Sequence, residues 1–525
     1  MSSDYFRAIE FLTSDGEAAL ASFARTNRAV AYADLRFEVV HSVSGSAVNG
    51  EPRENEISES AAFGISVHVA NRGGAFGHGQ CGVEVGALAL DRNKLLLALN
   101  RGLAAAHDRA RVNAQARVAA LKHTPSAAHG LVVGAFEPRA AIRDDVAAHY
   151  RRDPREISAA EIGALALDAS RSASAVGREI AFNAAAALTE LRHELFISTE
   201  GSLVAQAFAF SQGDCYVVAE SGDGHQELFD TIGQQRGIES LAEGWRDELM
   251  PNPDFAAFAT ALAREARELA AAPALKPPDA EVTVVTDPYF NALLSHEIVG
   301  HPCEADRALK MEAAYAGRSW LLRSATDNEI GHQVGSHLLS ACSDPLLNGY
   351  GHYLYDHEGT RGVRVMHIDR GVFRGFINSR ATAAALGVEP NGSMRASEAW
   401  HVPLIRMSNT FFLPGESLPE KLIADVDRGY FVCGHQIPSI AESRENFRIS
   451  ARRVYEIEHG RIGQLFRSGS VISDSRRFFM NVDGVGNDLR LVAIPNCGKG
   501  QPMQVKRMSN GGPTLRSRAR LGGGA

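Results

Sequence analysis

No apolar run in this chain approaches the roughly 20 residues needed to cross a bilayer as a helix, so a helical membrane span is not expected. The first residues, Met-Ser-Ser-Asp-Tyr-Phe-Arg, lack a basic stretch followed by an apolar one. No signal peptide is therefore read there. Cysteine is scarce: Cys81, Cys215, Cys303, Cys342, Cys433 and Cys497 are scattered, with no CxxC pair among them. That pattern argues against a disulfide framework and for a reduced, cytoplasmic protein. Positive charge is not in excess either. A net charge of −8 speaks against nucleic acid as a partner.

What is present fits a globular protein, with 45% hydrophobic and 22% charged residues. At 525 residues the chain is too long for one ordinary core, and two to four domains are the prior expectation. Apolar spacing predicts a helix over about 5–28, a strand over 31–40 and another over 64–70. A polar, turn-rich stretch is expected between the two strands, and the glycine-rich segment 76–85 reads as a hairpin, with His78 a polar loop residue. A long helix is expected over 91–122, with a break at Gly102 as an option. One or two helices are expected over 157–186, a hairpin over 194–210 turning at Gly201, a strand from Cys215 and a helix over 254–272.

The stretch Ala271–Asp279 holds three prolines and is the best domain boundary. Beyond it come a strand over 281–286, a helix, and from about 350 mostly short alternating runs between glycine-rich turns, with helical interruptions near 305–325 and 416–428. The fold class expected is α+β. Residues 1–275 would form an N-terminal α/β domain with long helices, within which a division near 190 stays open. Residues 276–515 would form a β-rich C-terminal domain of twisted antiparallel sheets, and 516–525 a loose tail.

The helix after residue 286 carries the densest chemistry: His296, Glu297 and His301, with Cys303, Glu304 and Asp306 close behind. Imidazoles suit zinc, and an adjacent carboxylate can take a proton from bound water. The common zinc-protease pattern H-E-x-x-H sets its histidines four apart, roughly 40° from eclipsed on a helix turning about 100° per residue. Here they are five apart, roughly 140° around an ideal helix. They converge on one ion only if the helix ends, kinks or bulges between them. Gly300 permits an irregular backbone, and Pro302 disfavours the α region at His301. The apolar residues around this motif, Phe290, Ala292, Leu293, Leu294, Ile298 and Val299, would look the same in an ordinary core helix.

Six C-terminal segments then occur in order: His-Glu-Ile-Val-Gly-His301, Phe373-Arg-Gly-Phe-Ile-Asn378, Arg406-Met-Ser-Asn-Thr410, Gly486-Asn-Asp-Leu489, Cys497-Gly-Lys-Gly-Gln501 and Gly512-Pro-Thr-Leu515. Together they resemble the TldD/PmbA family of metallopeptidases, in its metal-bearing TldD-like branch. Tyr32-Ala-Asp-Leu35, Gly64-Ile-Ser-Val-His68, Ser198-Thr-Glu-Gly201 and Gln235-Arg-Gly237 are similar to the family's N-terminal half, more weakly. The resemblance implies Zn2+ held by His296, His301 and Cys497, with Glu297 as catalytic base. Two histidines and a cysteine leave one position open for water, as a catalytic site requires. Cys303 and Glu304 remain rival ligands. The pair His332 and His337 has no glutamate between its members and reads as surface. His352, His357 and His401 could line the site, though nothing in the sequence puts them there.

The resemblance further implies hydrolysis of unfolded or short peptides, leader peptides among them, inside a cavity formed by a dimer. The partner would be an identical chain or a metal-free TldE/PmbA-like subunit. An extended peptide could add as a strand to a sheet edge, and Arg406, Asn409 and His435 are candidates to touch it. Where relatives carry a glycine-rich run, this chain has Cys433-Gly-His-Gln-Ile-Pro438, which weakens any substrate preference carried over. The alternative is a non-catalytic subunit that binds peptide or stabilises a partner. Glu297 discriminates, because a purely structural metal needs no carboxylate between its ligands.

Overall fold

A computed structural model describes residues 4–125, 129–136, 138–314, 317–324 and 327–523. The fold is α+β, as the sequence predicts. Its first half is built on a seven-stranded sheet of β1 (Val30–Val48), β2 (Glu51–Ala70), β3 (Phe76–Glu84), β4 (Arg143–Val146), β5 (Ile180–Ser198), β6 (Leu203–Ser221) and β7 (Gly224–Gln234). The order is β3-β2-β1-β5-β6-β4, with β7 also on β6; only β4 runs parallel to its neighbour.

The long hairpin β1–β2 replaces the turn-rich stretch expected after Val40. Its turn is Asn49-Gly50, both at positive φ (50° and 76°). Asn-Gly is the pair that a tight hairpin turn demands. Segment 76–85 is one strand, not a hairpin. A Cβ on Gly77 or Gly79 would overlap the carbonyl oxygens of Ala110 or Ala106. The glycines therefore let helix Arg92–Leu121 lie close on the sheet, and that helix runs unbroken through Gly102. His78 accordingly sits on a strand, stacked on His68 at 4.5 Å.

Helix Ala159–Ser174 ends well before 186, and Ile180–Ser198 is a strand, where Ala185 and Ala187 turn inward at period two. Helix propensity of alanine yields here to packing. Glu190 lies mid-strand, paired with β1 and β6 at once, so no division occurs near 190.

Period two also gives the sheet two unlike faces. Leu35, Phe37 and Val39 join a core with helices Arg7–Thr26 and Arg92–Leu121, while Val43 packs with helices Ala159–Ser174 and Phe255–Ala271. Asp34, Arg36 and Glu38 face the other way, toward the second half of the chain. There Arg36 donates to the His401 carbonyl, and Arg192 bridges Glu38 and the Ser397 carbonyl. Between this polar face and strand Gln504–Gly512 lies a cavity of about 570 Å³.

The second half holds two larger sheets. In one, strands Arg428–Ile440, Val282–Thr286, Leu515–Gly523, Gly469–Asp474 and Asn446–Glu458 pair in that order, and the last pairs back on the first. The sheet closes into a ring. Residues 516–523 are thus a strand and not a loose tail: Leu515, Ser517, Ala519 and Leu521 are buried while arginines 516, 518 and 520 alternate outward. The basic look of the segment hides a half-buried alternation. The other sheet places Ala341–Ser343, Asn409–Phe412, Gln504–Gly512 and Arg490–Lys499 side by side. Residues 350–355 are not a strand, and of 305–325 only Ala305–Ala308 is α-helical among the described residues.

Candidate metal centre

Helix Pro288–Leu294 leaves strand Val282–Thr286 through Asp287, whose carboxylate accepts from the Phe290 N–H and caps the helix. At Ser295 the helix widens into a π-helical segment, Ser295–Gly300, in which the His301 N–H bonds to the His296 carbonyl. An i→i+5 bond stacks residues five apart on one face. The spacing that an α-helix would splay is the spacing a π-turn aligns. The two imidazole rings meet edge-on with centroids 4.7 Å apart.

The flanking residues act differently from the sequence expectation. Gly300 and His301 both keep helical dihedrals, at φ −58°, ψ −61° and φ −63°, ψ −41°. Pro302 therefore does not drive His301 from the α region; it opens a short 3₁₀ turn, His301–Cys303. Gly300 is needed for space, since a Cβ there would overlap the Met407 sulfur. Gly300→Ala should destabilise the chain by about 1–3 kcal/mol, the usual range for overpacking. Combined with Met407→Ala, the loss in denaturant unfolding should fall short of the sum of the single losses. A strictly additive result would contradict the packing account.

Cys497 arrives from strand Arg490–Lys499. Its Sγ lies 3.5 Å from His301 Nε2, and one donor atom from each of His296, His301 and Cys497 falls within 4.8 Å of the others. Bonds of about 2.05 and 2.3 Å to a tetrahedral zinc would put nitrogen and sulfur about 3.6 Å apart. The donor set and its spacing fit zinc.

Each imidazole is oriented from behind. His296 Nδ1 lies 2.9 Å from Asn510 Oδ1, and Asn510 Nδ2 donates to the Thr410 carbonyl, which fixes the amide. His301 Nδ1 lies 3.0 Å from Glu304 Oε2. Both Nε2 atoms are thereby turned toward the cysteine, as outer partners of metal ligands do. Glu304, a rival ligand in the sequence, orients a histidine. It is completely buried, yet Lys499, His301 and Arg307 outweigh burial and hold its carboxyl well below the usual range. Lys499 sits two residues after Cys497, on the same strand face, and also donates to Asp306 and the Ile405 carbonyl. C-x-K thus sends the thiol to one histidine and the ammonium to the glutamate behind it.

Cys303 is buried, and burial pushes its thiol well up; it is not in the three-residue group. For Cys497 burial acts in the same upward direction, but His296, His301 and Arg406 outweigh it, so the thiol is held well below its ordinary value. Burial would likewise raise Glu297; Arg444, His296 and His301 pull it down instead, to about 2. Arg444 Nη1 pairs with Glu297 Oε2 and also reaches the Glu297 carbonyl.

The other sequence candidates separate clearly. Arg406 and Asn409 are fully buried and spent on backbone: Arg406 on the Cys497 and Gln504 carbonyls, Asn409 on those of Asp344 and Leu347. His332 and His337 are exposed. His352, His357 and His401 line the 570 Å³ cavity, whose walls include none of the three metal candidates. Asn510, Lys499 and Arg444 were not foreseen. Only Lys499 had a signal, its two-residue offset from Cys497.

Residues 279–520 match the family model described as the PmbA/TldA metallopeptidase C-terminal domain. A metalloprotease of Methanothermobacter thermautotrophicus is 30% identical over 406 residues, 77% of this chain and 82% of that protein. The chain belongs to the PmbA/TldD metallopeptidase family. A zinc metalloprotease TldD homolog of Saccharolobus solfataricus is 27% identical over 251 residues, 47% of this family member and 53% of that relative. The solved structure of TldE from Thermococcus kodakarensis superposes with a TM-score of 0.68 at 16% identity, covering 96% of this chain and all of that one. At that identity the likeness is one of fold. No helix among the described residues is long and apolar enough to cross a membrane.

Proposed function

We propose that this family member is a zinc-dependent peptidase acting on unfolded or short peptides, with His296, His301 and Cys497 as metal ligands and Glu297 as general base. The observation that carries the reading is the convergence of those three side chains on one point, with the carboxylate of the intervening residue beside them. Zinc held there would polarise the scissile carbonyl and lower the pKa of water toward about 7. Arg444 occupies Oε2 of Glu297 and leaves Oε1 to take the proton from the attacking water. The same oxygen then returns that proton to the departing amine. Asn510 and Glu304 keep the histidine lone pairs aimed. Arg406 steadies the Cys497 backbone through its carbonyl.

The stretch of strand Arg428–Ile440 past Val432, which has no strand partner on the side of Val282–Thr286, supports an extended peptide as substrate. Its pairing with Val282–Thr286 stops at Val432, and Ile437 beyond is 77% exposed. An incoming strand could pair there through its backbone. We place the seam between an N-terminal domain and the peptidase domain at residues 271–279. The working assembly is a homodimer, or a heterodimer with a metal-free TldE/PmbA-like subunit, and leader-peptide removal falls within the substrate class. Glu297 speaks against a non-catalytic partner. The reading is tested by cleavage of β-casein, an unfolded chain. A chelator should abolish cleavage and stoichiometric zinc should restore it; cleavage indifferent to the chelator would contradict the proposal.

A further inference from the structure

The 570 Å³ cavity between the two halves of the chain has the size of a small-ligand site. Phe229, Met503 and Val505 line it and are each about half exposed, so it opens to solvent. Pro495 and Asn496, which lead into Cys497, form part of its wall and set it beside the strand end that carries the metal thiol. His435, a substrate contact in the sequence reading, rests instead on Tyr289, with centroids 4.8 Å apart, and is not in that wall.

Part of the wall is aromatic. Phe208 and Phe210 project from one face of β6 at period two and stack 6.0 Å apart, and Tyr350 meets Phe210 edge-on at 5.8 Å. The Arg507 guanidinium lies over the Phe210 ring at 4.7 Å.

Another part carries two cations without a paired carboxylate. Arg395 is 5% exposed; its Nη2 donates to the Met407 carbonyl, and its Nε is buried with no partner. Lys506 Nζ donates at 2.7 Å to the carbonyl of Ala396, the chain neighbour of Arg395. Among the described residues no carboxylate forms an ion pair with either. The acids of the same wall are engaged elsewhere. Glu190 takes Arg507 and Arg192, Glu398 takes the Trp400 indole N–H, and Asp214 takes Thr231 and Gln212. Glu194 takes Nε2 of His357, whose Nδ1 accepts from the Ala396 N–H, so that ring is neutral. A buried cation without a partner is costly, and an anion relieves the cost. Burial pulls Lys506 down to about 7, with Arg192 and Arg395 adding to the effect and Glu194 opposing it.

We propose that this cavity binds the C-terminal residue of a peptide, with Arg395 and Lys506 taking the α-carboxylate and the Phe208–Phe210–Tyr350 wall taking an aromatic side chain. That the ligand is a peptide rests on the peptidase reading above; that it is a carboxylate rests on the two cations. Such a site selects chain ends, which short peptides and cut unfolded chains present.

The test measures binding without cleavage. Dansyl-Gly-Gly-Phe and its C-terminal amide are titrated by fluorescence anisotropy against zinc-loaded Glu297→Gln protein. The free acid should bind about tenfold more tightly, as a charge-assisted hydrogen bond allows. In Lys506→Gln that preference should largely disappear, and Lys506→Arg, which keeps the charge, should recover part of it, both at the thermal midpoint of the parent. Dansyl-Gly-Gly-Ala should bind about fivefold more weakly than the probe ending in Phe. Equal affinity of acid and amide overturns the inference. So does a preference undiminished in Lys506→Gln, and its loss on zinc removal would then assign the carboxylate to the metal. Equal affinity of the Phe and Ala probes overturns the aromatic half. Cleavage of β-casein by the wild-type chain is measured separately: its absence, with the acid preference intact, counts against the peptidase reading and leaves the carboxylate site standing.

Discussion

Glu297→Gln protein is expected to keep its zinc and to lose peptide cleavage by about 10²–10⁴-fold, the range that general acid–base catalysis supplies. The substitution preserves shape and removes only the group that can carry a proton. None of the three proposed ligands is altered, so metal content should remain near one per chain. Some stability should be lost as well. Arg444 is nearly buried, with 5% of its side chain exposed, and would face an amide instead of a carboxylate. It keeps the Glu297 carbonyl as an acceptor, which limits the damage. The expected pattern is therefore metal retained, fold retained, chemistry lost. Cleavage within threefold of wild type would remove Glu297 from the mechanism.

Cys497→Ala is expected to lose its zinc on dialysis, whereas Cys303→Ala keeps it. Removal of an outer-shell partner typically weakens metal binding 10–100-fold. Loss of one of three protein ligands should exceed that. The effect reaches the fold, because the site joins a helix to the sheet edge that carries Cys497. A ligand at 100 times its Kd stabilises the state that binds it by about 2.7 kcal/mol. Zinc should accordingly raise the thermal midpoint of wild type and of Cys303→Ala, and leave Cys497→Ala unmoved. Zinc retained by Cys497→Ala but lost by Cys303→Ala would transfer the ligand role.

Much of this site was legible in the sequence, because metal chemistry restricts residue types so severely. The five-residue spacing forced the expectation that the helix is disrupted between His296 and His301, and a π-turn is what lies there. Its means were misread. Gly300 looked like a conformational breaker, yet it has ordinary helical dihedrals and is required by Met407, a neighbour 107 positions away in sequence. Local pattern cannot reveal a contact of that kind. Asn510 was invisible for the same reason, being joined to His296 only by the fold. Arg406 and Asn409 attracted notice as polar residues in a motif, and both turned out to satisfy buried carbonyls. In the first half of the chain the Asn49-Gly50 hairpin was present as a signal and was passed over. The alanine-rich strand Ile180–Ser198 carried a helical composition that tertiary packing overrode.

X-ray absorption at the zinc edge of the purified chain tests the central claim most directly. The account predicts one sulfur at about 2.3 Å and two imidazole nitrogens at about 2.0–2.1 Å, with the remaining position filled by a light atom. A first shell without sulfur, or with two sulfurs, would contradict it.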